Sequence, residues 1–163
     1  MDRLMLLTIR RYVGRSRLLD RLMVHVGRYG PLWFFVVMGA MVVLGGSVER
    51  RAVLLAIIAA TVTRGLTELI GRQFYRARPF LAEGFTPLLQ HRASASFPSN
   101  HSACGFALAV ALWLHLPLIG AYLVLFAGVL ALSRVYVGLH YPSDVFFGAL
   151  LGASVAWLLV QIY

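Results

Sequence analysis

Lysine is absent from this sequence, and acidic residues are few. All fifteen basic residues are arginine, against six aspartates and glutamates, so the formal net charge at pH 7 is +9. The arginines lack the interleaved aromatic and hydroxyl side chains that are typical of a nucleic-acid-binding surface. We therefore expect no nucleic-acid partner and favour anionic lipid headgroups instead.

Cysteine is nearly absent as well, since Cys104 is the only one. One cysteine excludes an intramolecular disulfide bond, and its apolar neighbours favour a buried packing role. Histidines and carboxylates do not cluster at the spacing of metal ligands. The sequence thus predicts no disulfide framework and no metal site.

Polar residues are scarce overall: 60% of the 163 residues are hydrophobic and 13% are charged. This composition is too apolar for a soluble domain of this length. No internal repeat or low-complexity tract divides the chain. We therefore expect a single membrane domain over residues 1–163.

Several apolar runs have the length of transmembrane helices. Residues 31–48, 52–70 and 145–162 each approach the ~20 residues that a helix needs to cross a bilayer. The run 103–132 is broken near Pro117, and we interpret it as a hairpin of two short passes. Residues 1–30 instead alternate apolar residues with arginines, as in an amphipathic helix at the membrane interface. The predicted fold is an all-α integral membrane protein: about five transmembrane helices over residues 31–163, preceded by this interfacial helix.

The hairpin has a topological consequence. Two passes return the chain to the side that it left, so the loops 72–100 and 133–144 would lie on one membrane face. A single long helix would separate them. Loops carry functional residues more often than spans do, and these two hold most of the polar residues between the spans.

Three arginines at the end of the second span form the first candidate cluster: Arg72, Arg76 and Arg78. Guanidinium groups match phosphate oxygens bidentately, which suits a dianionic headgroup. Snorkelling to lipid phosphates or anchoring of the topology is the alternative interpretation.

The second cluster is Pro98-Ser99-Asn100-His101, which leads directly into an apolar helix. Ser99 or Asn100 could cap that helix, and its free N–H groups would then form an anion site. His101, in the first turn, could donate a proton. A structural cap with an incidental histidine remains an equal alternative for this cluster alone.

The third cluster runs from Ser133 to Asp144. It contains Arg134, a further candidate phosphate ligand, and His140, which precedes Asp144 by four residues. A histidine attacks phosphorus only with a neutral nitrogen, and a carboxylate on its other nitrogen would fix that tautomer. The alternative makes Asp144 an ordinary acid at a helix start and His140 an interface residue.

Together, the three clusters resemble the signature of the type 2 phosphatidic acid phosphatase family. That signature has a segment from a lysine to Arg-Pro, a Pro-Ser-Gly-His segment and a Ser-Arg-x5-His-x3-Asp segment. The order of the clusters and their places at span ends are similar too. Within the family, the chain looks most similar to bacterial undecaprenyl-diphosphate phosphatases.

The resemblance implies a metal-independent lipid phosphatase without a cofactor. His140 would attack phosphorus to form a phosphohistidine, Asp144 would orient it, and His101 would protonate the leaving oxygen. The phosphoryl oxygens would be held by Arg78, Arg134, Ser99 and N–H groups near Asn100. Undecaprenyl diphosphate is the expected substrate, with phosphatidic acid, phosphatidylglycerol phosphate and lipid A as alternatives.

The sequence departs from the family pattern at two positions. The family lysine would fall at Gly71, so we assign its task to Arg72, with Arg76 as the other candidate. Asn100 stands where glycine is usual, and phosphate binding is expected to persist because a backbone N–H supplies it.

Charge gives conflicting indications of orientation. Residues 49–51 include two arginines opposite the candidate loops, which makes that side cytoplasmic, whereas the arginine-rich N-terminus indicates the reverse. We expect an outward-facing site in a bacterial inner membrane, because an interfacial helix need not follow a rule for connecting loops and the resemblance implies the same. Two other function classes stay open: a vanadate-dependent oxidase, whose relatives are ordinarily soluble, and a non-catalytic membrane scaffold.

Overall fold

The protein is all-helical in the computed structural model, which describes residues 1–162. Seven helices and no strand occur in that range, and the predicted all-α fold is confirmed: α1 Asp2–Arg10, α2 Arg17–Leu44, α3 Ser47–Gln73, α4 Pro79–Ala82, α5 Asn100–His115, α6 Pro117–Tyr136 and α7 Pro142–Ile162. Within it, α2, α3, α6 and α7 are long and apolar enough to cross a membrane. At 16 residues, α5 is shorter and lies at the centre of the bundle, packed against α3, α6 and α7.

The predicted hairpin is present between α5 and α6. The first helix ends at His115 and the second begins at Pro117, where a missing N–H costs no helical hydrogen bond. Gly120 allows α6 to lie close to the end of α5, because a Cβ there would lie 2.0 Å from the Cα of Trp113. The hairpin brings the end of α6 back to the face where α5 begins.

Small residues let α7 lie directly against α5. A Cβ on Gly152 would stand 2.0 Å from the carbonyl oxygen of Ala103, and one on Gly148 would stand 2.7 Å from that of Ser99. Ala107, on the same side of α5, is fully buried. Close backbone approach of this kind is how helices gain dispersion contacts in lipid, where no hydrophobic effect drives their association.

The N-terminal region does not divide at residue 30, where the predicted interfacial helix was expected to end. Only α1 is a helix separate from the first long apolar helix, and its Leu6 is fully buried against Val135 and Tyr141. α2 begins at Arg17 and continues through Pro31 to Leu44. Proline is tolerated inside a transmembrane helix when another donor satisfies the carbonyl that it leaves without a partner. Here that carbonyl belongs to Gly27, and the side chain of Arg134 donates to it.

We predict that Gly152→Val lowers the Tm by roughly 10 °C, because the added side chain would meet the backbone of α5, which cannot move aside as a side chain can. The expected loss in the free energy of unfolding is about 3 kcal/mol. Thermal unfolding of the purified protein in detergent measures this. Gly128→Val in α6 is the control, since nothing lies within 4 Å of a Cβ there. Equal Tm values for the two variants would contradict the packing described.

Candidate active site

His140 lies in a tight turn between α6 and α7. After α6 ends at Tyr136, Gly138 adopts a φ of 88°, a conformation that strongly favours glycine. The backbone N–H of His140 then donates to the Arg134 carbonyl over 3.3 Å, and α7 begins at Pro142. The turn holds the imidazole between helix ends, where the residue is only 2% exposed.

The hydrogen bonds of His140 define its tautomer. A guanidinium can only donate, so Nε2, which is 3.1 Å from Nη1 of Arg78, accepts. Nδ1 carries the proton and donates to the carbonyl of Ser96 over 2.8 Å. Burial, with the positive charges of Arg78 and Arg134, lowers the pKa of His140 well below its usual range. The imidazole is therefore neutral, with the Nε2 lone pair directed toward an arginine.

Asp144 does not contact His140 directly. Its Oδ2 is 3.9 Å from Nδ1 of the imidazole, too long for a hydrogen bond. That oxygen accepts from the hydroxyl of Ser96 at 2.5 Å and from the backbone N–H of Tyr141 at 2.9 Å. The expected orientation of His140 by Asp144 is thus indirect: the Ser96 carbonyl holds the imidazole, and Asp144 holds Ser96.

Sequence reasoning did not identify Ser96 as a site residue. It belongs to a Ser/Ala-rich patch in the long loop, 44 residues before His140, and is fully buried. No spacing rule connects such a loop serine to a histidine at the start of another helix. Its place just before the Pro98-Ser99 segment was the only available signal.

Arg76 is engaged by two carboxylates. Nη1 donates to Oδ1 of Asp144 at 2.8 Å, Nη2 donates to Asp2 at 2.7 Å, and the guanidinium lies 3.9 Å from the ring centroid of Tyr141. Asp2 also accepts from the backbone N–H and the hydroxyl of Ser143. Although burial alone would raise it, these hydrogen bonds lower the pKa of Asp2. The network fastens α1 to the beginning of α7.

Arg72, the other candidate beside Arg76, has a different environment. Arg72 is exposed and lines a polar cavity of about 660 Å³, together with Arg78, His101 and His140. Arg76 does not line this cavity. Of the two candidates, only Arg72 is therefore placed to meet a ligand in this cavity.

Arg78 is buried and held by loop acceptors. Its guanidinium donates to the Ser94 hydroxyl at 3.1 Å and to the Leu139 carbonyl at 3.1 Å, in addition to His140. Burial lowers its pKa, and the nearby Asp144 carboxylate partly opposes that shift. Arg78 thus lines the polar cavity while it also donates to the backbone carbonyl of Leu139.

Arg134 uses the carbonyl that Pro31 leaves free. In a regular helix, the carbonyl of Gly27 would accept from the N–H of residue 31, which proline lacks. Instead, it accepts from Nη1 of Arg134 at 2.7 Å. Arg134 is 3% exposed, and its Nε has no hydrogen-bond partner among residues 1–162. The proline in α2 thereby anchors a candidate phosphate ligand in α6.

The beginning of α5 contributes backbone more than side chains. The hydroxyl of Ser99 is buried without a hydrogen-bond partner in the described part of the chain, and its N–H donates to the Asp144 carbonyl. Asn100 and His101 both line the polar cavity. Their N–H groups belong to the first turn, where a helix offers no internal acceptor. The geometry brings Asn100 and His101 to the cavity and leaves Ser99 behind it.

These features describe a membrane protein of packed helices with a positively charged pocket at one end of its bundle. Three arginines, three histidines and the N-terminus of α5 line the polar cavity there: Arg64, Arg72, Arg78, His91, His101 and His140. Arg134 lines an adjoining cavity of about 530 Å³ that His101 also lines.

Comparison with known proteins defines the family. The model of the PAP2 superfamily matches residues 51–163, and the chain belongs to this superfamily. It is 33% identical over 130 residues to "Undecaprenyl-diphosphatase BcrC" of Bacillus subtilis strain 168, covering 80% of this chain and 67% of that protein. The family membership expected from the three clusters is confirmed.

Two further relatives extend the comparison. A "Lipid A 1-phosphatase" of Rhizobium etli is 37% identical over 103 residues, which cover 60% of this chain and 44% of that protein. The crystal structure of Aquifex aeolicus LpxE has a TM-score of 0.84 and 26% sequence identity, covering 98% of this chain and 94% of that one. The chain spans two thirds or less of the two curated relatives, whereas it covers nearly all of the solved structure.

We predict that Pro31→Ala raises the Kd for inorganic phosphate about tenfold, because a new N–H competes with Arg134 for the Gly27 carbonyl and a charge-assisted hydrogen bond is weakened. Calorimetric titration with phosphate measures this, and the Tm is expected not to fall. Pro117→Ala, at the first position of α6, is the control. An unchanged Kd in Pro31→Ala would contradict the anchoring role.

Proposed function

We propose that the protein is a metal-independent phosphatase of membrane lipids that converts undecaprenyl diphosphate to undecaprenyl phosphate. One observation carries the proposal: Nε2 of a buried, neutral His140 faces Arg78 in a cavity that also contains His101 and Arg72. A nucleophile of this kind needs an unprotonated nitrogen next to the group that binds its target. The similarity to the undecaprenyl-diphosphatase BcrC supports the choice of a lipid diphosphate.

The reaction has two steps. Nε2 of His140 forms a bond to the terminal phosphorus while the bridging P–O bond breaks. His101, protonated once the negative charge of the bound diphosphate offsets the surrounding arginines, gives that proton to the leaving lipid phosphate. Water then attacks the phosphohistidine, the N–P bond breaks, and inorganic phosphate leaves. His101, now neutral, accepts a proton from that water, which restores both histidines.

Positive groups stabilise the phosphoryl group as its charge shifts. Arg78 and Arg134 are already held in place by backbone carbonyls, so little reorganisation is needed when the transition state forms. Arg72 and the first-turn N–H groups near Asn100 complete the cradle. Ser96 and Asp144 keep the imidazole in the tautomer that attacks.

A lipid monophosphate is the second candidate substrate, which the similarity to a lipid A 1-phosphatase favours. Phosphatidic acid and phosphatidylglycerol phosphate would meet the same arginines. A non-catalytic scaffold would need none of these contacts.

We predict that His140→Ala lowers phosphate release from undecaprenyl diphosphate by about a thousandfold or more, because the nucleophile is lost. His115→Ala is the matched control, since that histidine lies at the other end of α5 and its side chain hydrogen-bonds to the Ala111 carbonyl there. Chelation of divalent metals is expected to leave the wild-type rate unchanged. Full activity of His140→Ala, or an absolute metal requirement, would overturn the mechanism.

The same assay identifies the substrate. Undecaprenyl diphosphate, phosphatidic acid, phosphatidylglycerol phosphate and lipid A are compared on one preparation, and the diphosphate is expected to have the highest kcat/KM. A higher value for any of the other three would replace the proposed substrate.

We also propose that the site faces the outside of a bacterial inner membrane. α7 runs away from the site, so the chain would end in the cytoplasm. Two reporters are fused in turn after Tyr163, a residue outside the described range: one that is active only in the cytoplasm and one that is active only in the periplasm. The cytoplasmic reporter is expected to be active and the periplasmic one inactive. Activity of a periplasmic reporter in that fusion would reverse the orientation.

A further inference from the structure

A third cavity, the apolar cavity, adjoins the polar one within the apolar part of the bundle. It has a volume of about 330 Å³, lies between α2, α3, α5 and α6, and is lined mainly by apolar side chains, among them Phe34, Ile57, Leu108 and Leu130. The two cavities share three lining residues: Arg64, Asn100 and His101. The polar cavity and the apolar cavity are therefore neighbours, and Arg64 lies at their common boundary.

Arg64 is an unusual residue for its position. It lies nine residues before the end of α3, which corresponds to about 14 Å along the helix axis. A charge at such depth is expensive and normally faces a cavity or a partner. Its guanidinium pairs with Glu68 at 3.0 Å, yet the side chains are 61% and 51% exposed. Arg64 lines both cavities and Glu68 lines the polar one, so a ligand in the polar cavity can reach the pair.

We propose that Arg64 binds the chain-proximal phosphate of a lipid diphosphate and so distinguishes diphosphates from monophosphates. The inference rests on the proposed function. The substrate presents a terminal phosphate, a second phosphate and an apolar chain in that order. The protein presents His140 with Arg72 and Arg78, then Arg64, then the apolar cavity in the same order.

Arg64 also acts at the step where the bridging bond breaks. The leaving lipid phosphate gains negative charge at that moment, next to the proton donor His101, which lines both cavities with Arg64. A guanidinium there stabilises the leaving group. Before substrate arrives, Glu68 neutralises the charge and so reduces its cost within the membrane.

The test compares an isoprenyl diphosphate with the isoprenyl monophosphate of the same chain length. Phosphate release is measured in detergent micelles for the wild type and for Arg64→Gln. We expect kcat/KM for the diphosphate to fall about tenfold more than that for the monophosphate, the effect of losing one charge-assisted hydrogen bond. Arg51→Gln, which changes an exposed arginine at the other end of α3, is expected to leave both values unchanged.

The double variant Arg64→Gln/Glu68→Gln guards against misfolding. It leaves no unpaired carboxylate in the span, and the same selective loss is expected. An equal loss on both substrates, or none, would overturn the role of Arg64 while leaving the phosphatase intact. If the wild type releases phosphate from neither substrate, the proposed function itself is overturned, and this inference with it.

Discussion

Buried guanidinium groups need acceptors, and that requirement organises this end of the bundle. Arg78 takes the Leu139 carbonyl, Arg134 takes the Gly27 carbonyl, and Arg76 takes the carboxylate of Asp144. In an apolar setting, each unsatisfied charge would cost several kcal/mol. The acceptors come from different helix ends and loops, so satisfying the arginines also fixes the positions of those segments.

The neutrality of His140 follows from the same arrangement. An imidazolium could not accept from Arg78, and two neighbouring guanidinium groups oppose a third positive charge. Asp144 would counter this effect by direct contact, but it is drawn toward Arg76 and Ser96 instead. The carboxylate thus balances an arginine, while a backbone carbonyl, which carries no net charge, orients the histidine. This division keeps Nε2 unprotonated without leaving Asp144 unpaired.

The cavities match an amphiphile whose charge is concentrated at one end. Arginines surround the polar space at the helix ends, and the apolar space extends from it toward the centre of the bundle. Arg64 lines both cavities, and its partner Glu68 lines the polar one. A soluble phosphate compound would use only the polar cavity, whereas the proposed lipid substrate would use both.

The helical membrane fold, the hairpin at Pro117 and the family could all be predicted from the sequence, because hydrophobic runs, proline positions and short motifs are local patterns. The predicted hairpin also implied that the loops containing Arg78, His101 and His140 share a face. Three features could be seen only in the folded protein: α2 continues through Pro31, Ser96 holds His140, and Asp2 engages Arg76. The contacts behind them join residues far apart in the sequence: 44 positions for Ser96 and His140, 74 for Asp2 and Arg76, and 107 for Gly27 and Arg134. Nothing in the local sequence encodes which donor a freed carbonyl or a buried carboxylate will meet, since helix packing makes that choice.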